Sequence, residues 1–231
     1  MQLPFTSDQF YGVFRDYNEA VWPVQFLLVA LALLALVLAM RPRHGSGVAV
    51  SAILASFWAW IAAAYHLAFF THVNPVAYVF AAVSAVGAVV FVWQGVVRRR
   101  LQFEWTGGLR SYTGAAMIAF ALVAYPAWLS ATGHAYPAIA TFGLPCPTTL
   151  FTIGLLAFAV PPYPRGPLLV PVLWCFVGAQ AAFMLDVAPD LGLIVAAVVG
   201  IGLMVRATSS PSAEMASVPV DARAVAKFMR R

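Results

Sequence analysis

The residues best equipped for chemistry are one thiol and two imidazoles. Cys146 lies in the stretch "TFGLPCPTT", bracketed by Pro145 and Pro147 and followed by Thr148 and Thr149. His134 stands upstream in "GHAYP" beside Tyr136, and His66 follows Tyr65 in "YHLAFFTHVNP". Pro147 suits the first position of a helix, which makes Cys146 the expected N-cap. The partial positive charge at a helix N-terminus favours a thiolate there, and the free amides of the first turn favour an anionic group. The plainer reading of Cys146 is a small apolar residue in a structural turn, since burial in apolar surroundings leaves a cysteine inert. Soft sulfur with imidazole suits copper or zinc, so Cys146, His66 and His134 are the candidate metal ligands. Their spacing matches no metal motif, and His66 has no partner histidine in another span that would hold a haem. The single lysine, Lys227, lies near the C-terminus, so no span carries a retinal Schiff base. Neither a phosphate-binding glycine-rich loop nor a nucleophile elbow occurs.

These groups sit in a chain written mostly in hydrocarbon. Of 231 residues 63% are hydrophobic and 9% charged, against ~25% charged in a soluble domain. Uncharged apolar runs approach the ~20 residues that cross a bilayer. The expected fold is an all-α polytopic helix bundle with the lipid bilayer as its first partner. Seven spans can be read, at 20–40, 48–70, 75–97, 112–129, 148–160, 168–185 and 190–205. Sorted by side, twelve basic and three acidic residues fall with the C-terminus (net +9), and one basic and five acidic residues with the N-terminus (net −4). The positive-inside rule then places the N-terminus outside and the C-terminus in the cytoplasm. The basic balance is therefore topological and no argument for nucleic acid. Arg98–Arg100 read as a topology anchor before they read as a contact for anionic headgroups. Residues 1–206 form the membrane domain, and the basic tail 207–231, rich in Ser, Pro and Ala, is expected to be disordered, with a short amphipathic helix at its end. The first residues lack the basic stretch and cleavage site of a secretory signal.

Sorting the polar residues by side collects the chemistry at the outer mouth. Tyr65, His66, His134, Tyr136, Cys146, Thr148, Thr149, Glu19 and Gln180 all fall there and are the candidate ligand-binding residues. Tyr65, His66, His134, Cys146 and Thr148 are expected to converge on a cavity of ~300–1,000 Å³. Thr6 and Gln9 in "TSDQF" have the spacing of a capping box, and Phe10, Phe14, Tyr17 and Val21 then recur at helical intervals, so an amphipathic helix should lie on the outer surface and bend near Pro23. The fifth span is only ~20 Å long against a core of ~30 Å. Its start and the preceding apolar "AYPAIATFGLP" should therefore dip inward as a re-entrant segment, which is tolerated only where protein or a cavity surrounds it. Asp186 and Asp190 in "LDVAPDLG" are expected to end one helix and cap the next. Cys175 reads as core.

"LPFTSDQF", "YNEAVWP", "YHLAFFTHVNPVAY" and "GHAYPAIATFGLPCPTTLFTIGLL" resemble a family of small bacterial integral membrane proteins defined as a domain of unknown function. The resemblance covers nearly the whole chain and implies one multi-span domain in a bacterial inner membrane. It implies no activity and no catalytic residue. Three classes of function follow from the residues: a protein that binds or transports a small molecule or metal ion through an outer pocket, a membrane enzyme using Cys146, and an accessory subunit docking partner subunits.

Overall fold

A computed structural model describes residues 4–207; the expected disordered tail and its terminal helix lie outside the described residues. Helix α1 (Ser7–Ala20) starts at the capping box: Gln9 N donates to Thr6 Oγ1 (3.3 Å) and Thr6 N to Gln9 Oε1 (2.9 Å). Its apolar stripe of Phe10, Val13, Phe14 and Tyr17 is buried, while Arg15, Asp16 and Glu19 are exposed. At Pro23 the chain turns by 88° into α2 (Val24–Met40), so α1 lies across the end of the bundle.

Helix α3 (Ser46–Trp60) runs on into a π-helical turn (Ile61–Leu67), and α4 (Ala77–Phe91) into another (Val92–Val97). A third π turn (Phe120–Ala124) joins α5 (Leu109–Ala119) to α6 (Tyr125–Ala131). Helix α7 (Pro145–Leu156) and α8 (Gly166–Met184) follow, and a 3₁₀ turn (Ala188–Leu191) leads into α9 (Gly192–Arg206). Helical segments form at each of the seven expected positions. Five are long and apolar enough to cross a membrane, or six if the bent α1–α2 pair counts as one broken span. Their outward faces carry exposed Val86, Val89, Val123, Val198 and Val205, a surface that suits hydrocarbon and not water.

Helix α7 is short for a span, at twelve residues, whereas α5 and α6 run together through the π turn for 23. Every residue from Pro147 to Leu156 is buried, because α5, α8 and α9 enclose it. The contact with α5 is backbone to backbone: a Cβ on Gly154 would lie 2.8 Å from the Gly114 carbonyl oxygen and 3.0 Å from Ile118 Cγ1. Of the segment feeding α7, Ile139, Ala140 and Phe142–Leu144 are buried while Ala135 and Tyr136 stay exposed, and α1 holds the buried part in place. Asn18, fully buried, donates to the Pro137 carbonyl (2.6 Å) and the Ile139 carbonyl (2.8 Å) and accepts from Thr141 Oγ1 (2.6 Å). Gly143 takes φ +104°, and a Cβ there would meet Leu28 and the Tyr17 hydroxyl, so only glycine fits this turn.

Candidate functional site

Where α1 crosses the bundle it roofs a cavity of about 160 Å³. Phe10 and Phe14 of α1 form one wall, Phe70 and Phe80 another, and the starts of α7 and the upper half of α8 close the rest. The rings nest edge to face: Phe10 and Phe14 are 4.6 Å apart at 61°, and Phe10 and Phe70 6.0 Å apart at 74°. Such pairs are favoured by the ring quadrupole, so the walls are packed aromatic surface.

One end of the cavity is polar. Asp190 is 1% exposed, and its Oδ1 accepts a 2.6 Å hydrogen bond from Tyr125 Oη. The Cys146 sulfur lies in the same cavity wall, beside Gly178 and Trp174. Trp174 Nε1 faces the sulfur, yet no atom meets it in hydrogen-bond geometry, leaving a buried donor without a partner. The gap between these groups exists because α8 carries glycine at 178, where a Cβ would sit 3.2 Å from Trp174 Nε1 and 3.3 Å from Cys146 Sγ. A buried carboxyl group is costly unless hydrogen-bonded, and here the Tyr125 hydroxyl supplies a bond. This corrects the helix-cap expectation for Asp190. The cap of α9 is Leu191, with no side-chain bond, because Asp190 turns inward to Tyr125.

Cys146 is also not the N-cap. Leu144 holds that position and Pro145 is the first helical residue, so Cys146 is the second and Pro147 the third. The consequence is chemical. Two of the first three residues lack an N–H, and the amide of Thr148 is already bonded to the Leu144 carbonyl (3.2 Å). The first turn thus offers one free amide, that of Cys146 itself, and not the anion-binding set the sequence pattern implies.

The cavity brings together Tyr65, Cys146 and Gln180 from the expected residues. His66 stands behind it, 0% exposed, 5.1 Å from the Trp174 ring and 5.7 Å from the Phe80 ring, with neither nitrogen hydrogen-bonded. Tyr65 and His66, neighbours in the π turn, are both buried, Tyr65 lining the cavity and His66 behind it. His134 lies elsewhere, stacked on Tyr11 at 3.9 Å. Thr148 is committed to the loop, its Oγ1 accepting from Gly143 N (3.2 Å), and Thr149 is buried with its hydroxyl unpaired. Tyr136 is exposed and donates to the Asn18 carbonyl (3.3 Å), and Glu19 is exposed on α1. Among the described residues no three His, Cys, Asp or Glu side chains form a group that could hold a metal, so Cys146, His66 and His134 do not meet as a ligand set. At about 160 Å³ the cavity is also smaller than the size expected from sequence.

The groups missed in sequence are Asp190, Tyr125, Trp174 and the phenylalanines of α1. One signal was present: a carboxylate at the head of an apolar run is expensive, and such residues usually face the bundle interior. Over the polar end lies Tyr11, whose Oη donates to the Asp186 carbonyl (3.4 Å). Burial, then the carboxylates of Asp186 and Asp190, push its phenol up to about 12, so it remains a protonated donor at neutral pH.

No curated protein and no solved structure matches the chain. The family of unknown function DUF6064 matches residues 7–215, nine-tenths of the sequence, and the chain belongs to that family.

Proposed function

We propose that this is a bacterial inner-membrane protein that binds a small, mainly apolar molecule bearing one hydrogen-bonding group, in the cavity beneath α1. The observation that carries the reading is the unpartnered Trp174 Nε1 in the lining of an aromatic-walled space that also holds Cys146 and Tyr125, the latter bonded to Asp190. A ligand acceptor would satisfy the indole N–H, and its ring would replace empty volume with dispersion contacts. The volume sets the scale: about 160 Å³ is close to the ~150 Å³ apolar cavity that holds benzene. The positive-inside rule puts the α1 mouth on the extracytoplasmic side with seven crossings. Nucleophilic chemistry at Cys146 is the weaker reading, since the first turn of α7 lacks the free amides that would activate it.

The test uses Cys146 as its own reporter in Cys175→Ser protein. Cys146 is partly exposed and Cys175 buried, so in wild type a small methanethiosulfonate reagent should modify Cys146 and spare Cys175. Phenol should slow the reaction at lower concentration than benzene, by about five-fold, the worth of one net hydrogen bond. Equal protection by the two, or none, would contradict the proposal.

A further inference from the structure

A second binding site lies at the opposite end of the bundle. Helices α5 and α9 both pack on α7, and because α7 ends at Leu156 a groove of about 440 Å³ opens between its two neighbours. Arg110 and Arg206 stand at its head, and Leu109, Val199, Gly202 and Leu203 line its length. Arg110 is anchored by a 2.7 Å bond from Nη2 to the Ala159 carbonyl, which fixes the guanidinium at the groove and leaves its other donors free of that bond. Arg206 closes the last turn of α9 on the facing wall. Around the groove, Leu109 is 85% exposed and Val205 74%, so the apolar rim continues outward onto the surface that suits hydrocarbon.

We propose that this groove binds a phospholipid with an anionic headgroup. Two arginines lining one groove match a phosphate diester and any further anionic charge beside it, since arginine presents several N–H donors in a planar fork. The apolar floor below them takes one acyl chain. At Gly202 a Cβ would meet nothing within 4 Å, so the space beside the helix is open. A soluble anion would use the arginines and leave the apolar floor exposed, whereas a lipid covers both. The other arginines at this end, Arg41, Arg43, Arg98–Arg100 and Arg165, do not line the groove, and Arg165 Nε is bonded to the Met204 carbonyl (3.1 Å).

The experiment is native mass spectrometry of the full chain in detergent, titrated with dioleoyl phosphatidylglycerol and, separately, dioleoyl phosphatidylcholine. Wild type should bind the anionic lipid preferentially. Arg206→Gln should cut that preference about five-fold, the expected worth of one basic residue at an anionic surface, and leave phosphatidylcholine unchanged. Gly202→Phe should weaken both lipids alike by filling the floor, and millimolar inorganic phosphate should leave phosphatidylglycerol bound. Equal binding of the two lipids, an unchanged preference in Arg206→Gln, or displacement by inorganic phosphate would overturn the proposal, the last by showing a site for a free anion.

Discussion

Asp190→Ala should destabilise the protein by about 2–4 kcal/mol, and Asp190→Asn by about 1 kcal/mol. The difference follows from what each substitution leaves behind. Alanine removes the acceptor of the Tyr125 hydroxyl, strands that buried donor, and opens space beside the cavity. Asparagine keeps the shape and one carbonyl oxygen for Tyr125. Tyr125→Phe should fall between them, because it deletes the same hydrogen bond while keeping the ring and the carboxyl group in place. The measurement is the unfolding midpoint in mixed micelles, with the slope of the transition checked so that a shift in midpoint reports stability. In Asp190→Ala the advantage of phenol over benzene in protecting Cys146 should also shrink, since the polar end is then disordered. If alanine and asparagine behave alike, the Tyr125–Asp190 bond does not organise this end of the bundle.

Gly154→Ala and Gly114→Ala should each cost about 2–3 kcal/mol, the range for overpacking a close-fitted interior. At both positions the added carbon meets the backbone of the facing helix, the Gly154 carbonyl for Gly114 and the Gly114 carbonyl for Gly154. A flexible side chain can rotate away from a methyl group, and a helix backbone cannot, so α5 and α7 must separate. Because the N-terminal turn of α7 carries Cys146, separation should also raise the rate at which the thiol is modified. Gly12→Ala is the matched control. Its Cβ would meet nothing within 4 Å, and alanine is favoured over glycine in a helix interior by about 1 kcal/mol, so this variant should be neutral or slightly stabilised. Destabilisation by Gly12→Ala of the same size as Gly154→Ala would mean that glycine content, and not the helix crossing, governs the effect.

The two ends of the chain's local code differ in how readily they can be read. The capping box at Thr6 and Gln9 is a complete statement: two side chains at fixed spacing satisfy two amides, followed by an apolar stripe at helical intervals, and α1 forms where the pattern puts it. The start of α7 is ambiguous for a physical reason. In "LPCPTT" both prolines suit a first helical turn, and choosing Pro147 over Pro145 shifts Cys146 by two positions and changes the amides its sulfur sees. Leu144, with no capping side chain, gives no local signal to break the tie. Asp190 was legible as a turn residue but not as a site residue, since aspartate before a helix is the ordinary mark of a cap and its partner Tyr125 is 65 residues away. The π turn at Ile61–Leu67 likewise carries no composition of its own, so the sequence reads there as regular helix. His134 was placed on the correct face of the bundle but not at the cavity, because α1 comes between and takes the imidazole onto Tyr11.

The central claim is that the aromatic-walled space beneath α1 receives a small molecule with its polar group toward Trp174 and Asp190. The most direct measurement is an experimental structure of the full chain with 4-bromophenol, locating the bromine by anomalous scattering. One bromine site inside the cavity, with the phenol oxygen within hydrogen-bonding distance of Trp174 Nε1 or the Asp190 carboxyl group, is the predicted result. Bromine found only on the outer surface of the helices, with Phe10, Phe14 and Trp174 collapsed into the space, would contradict it.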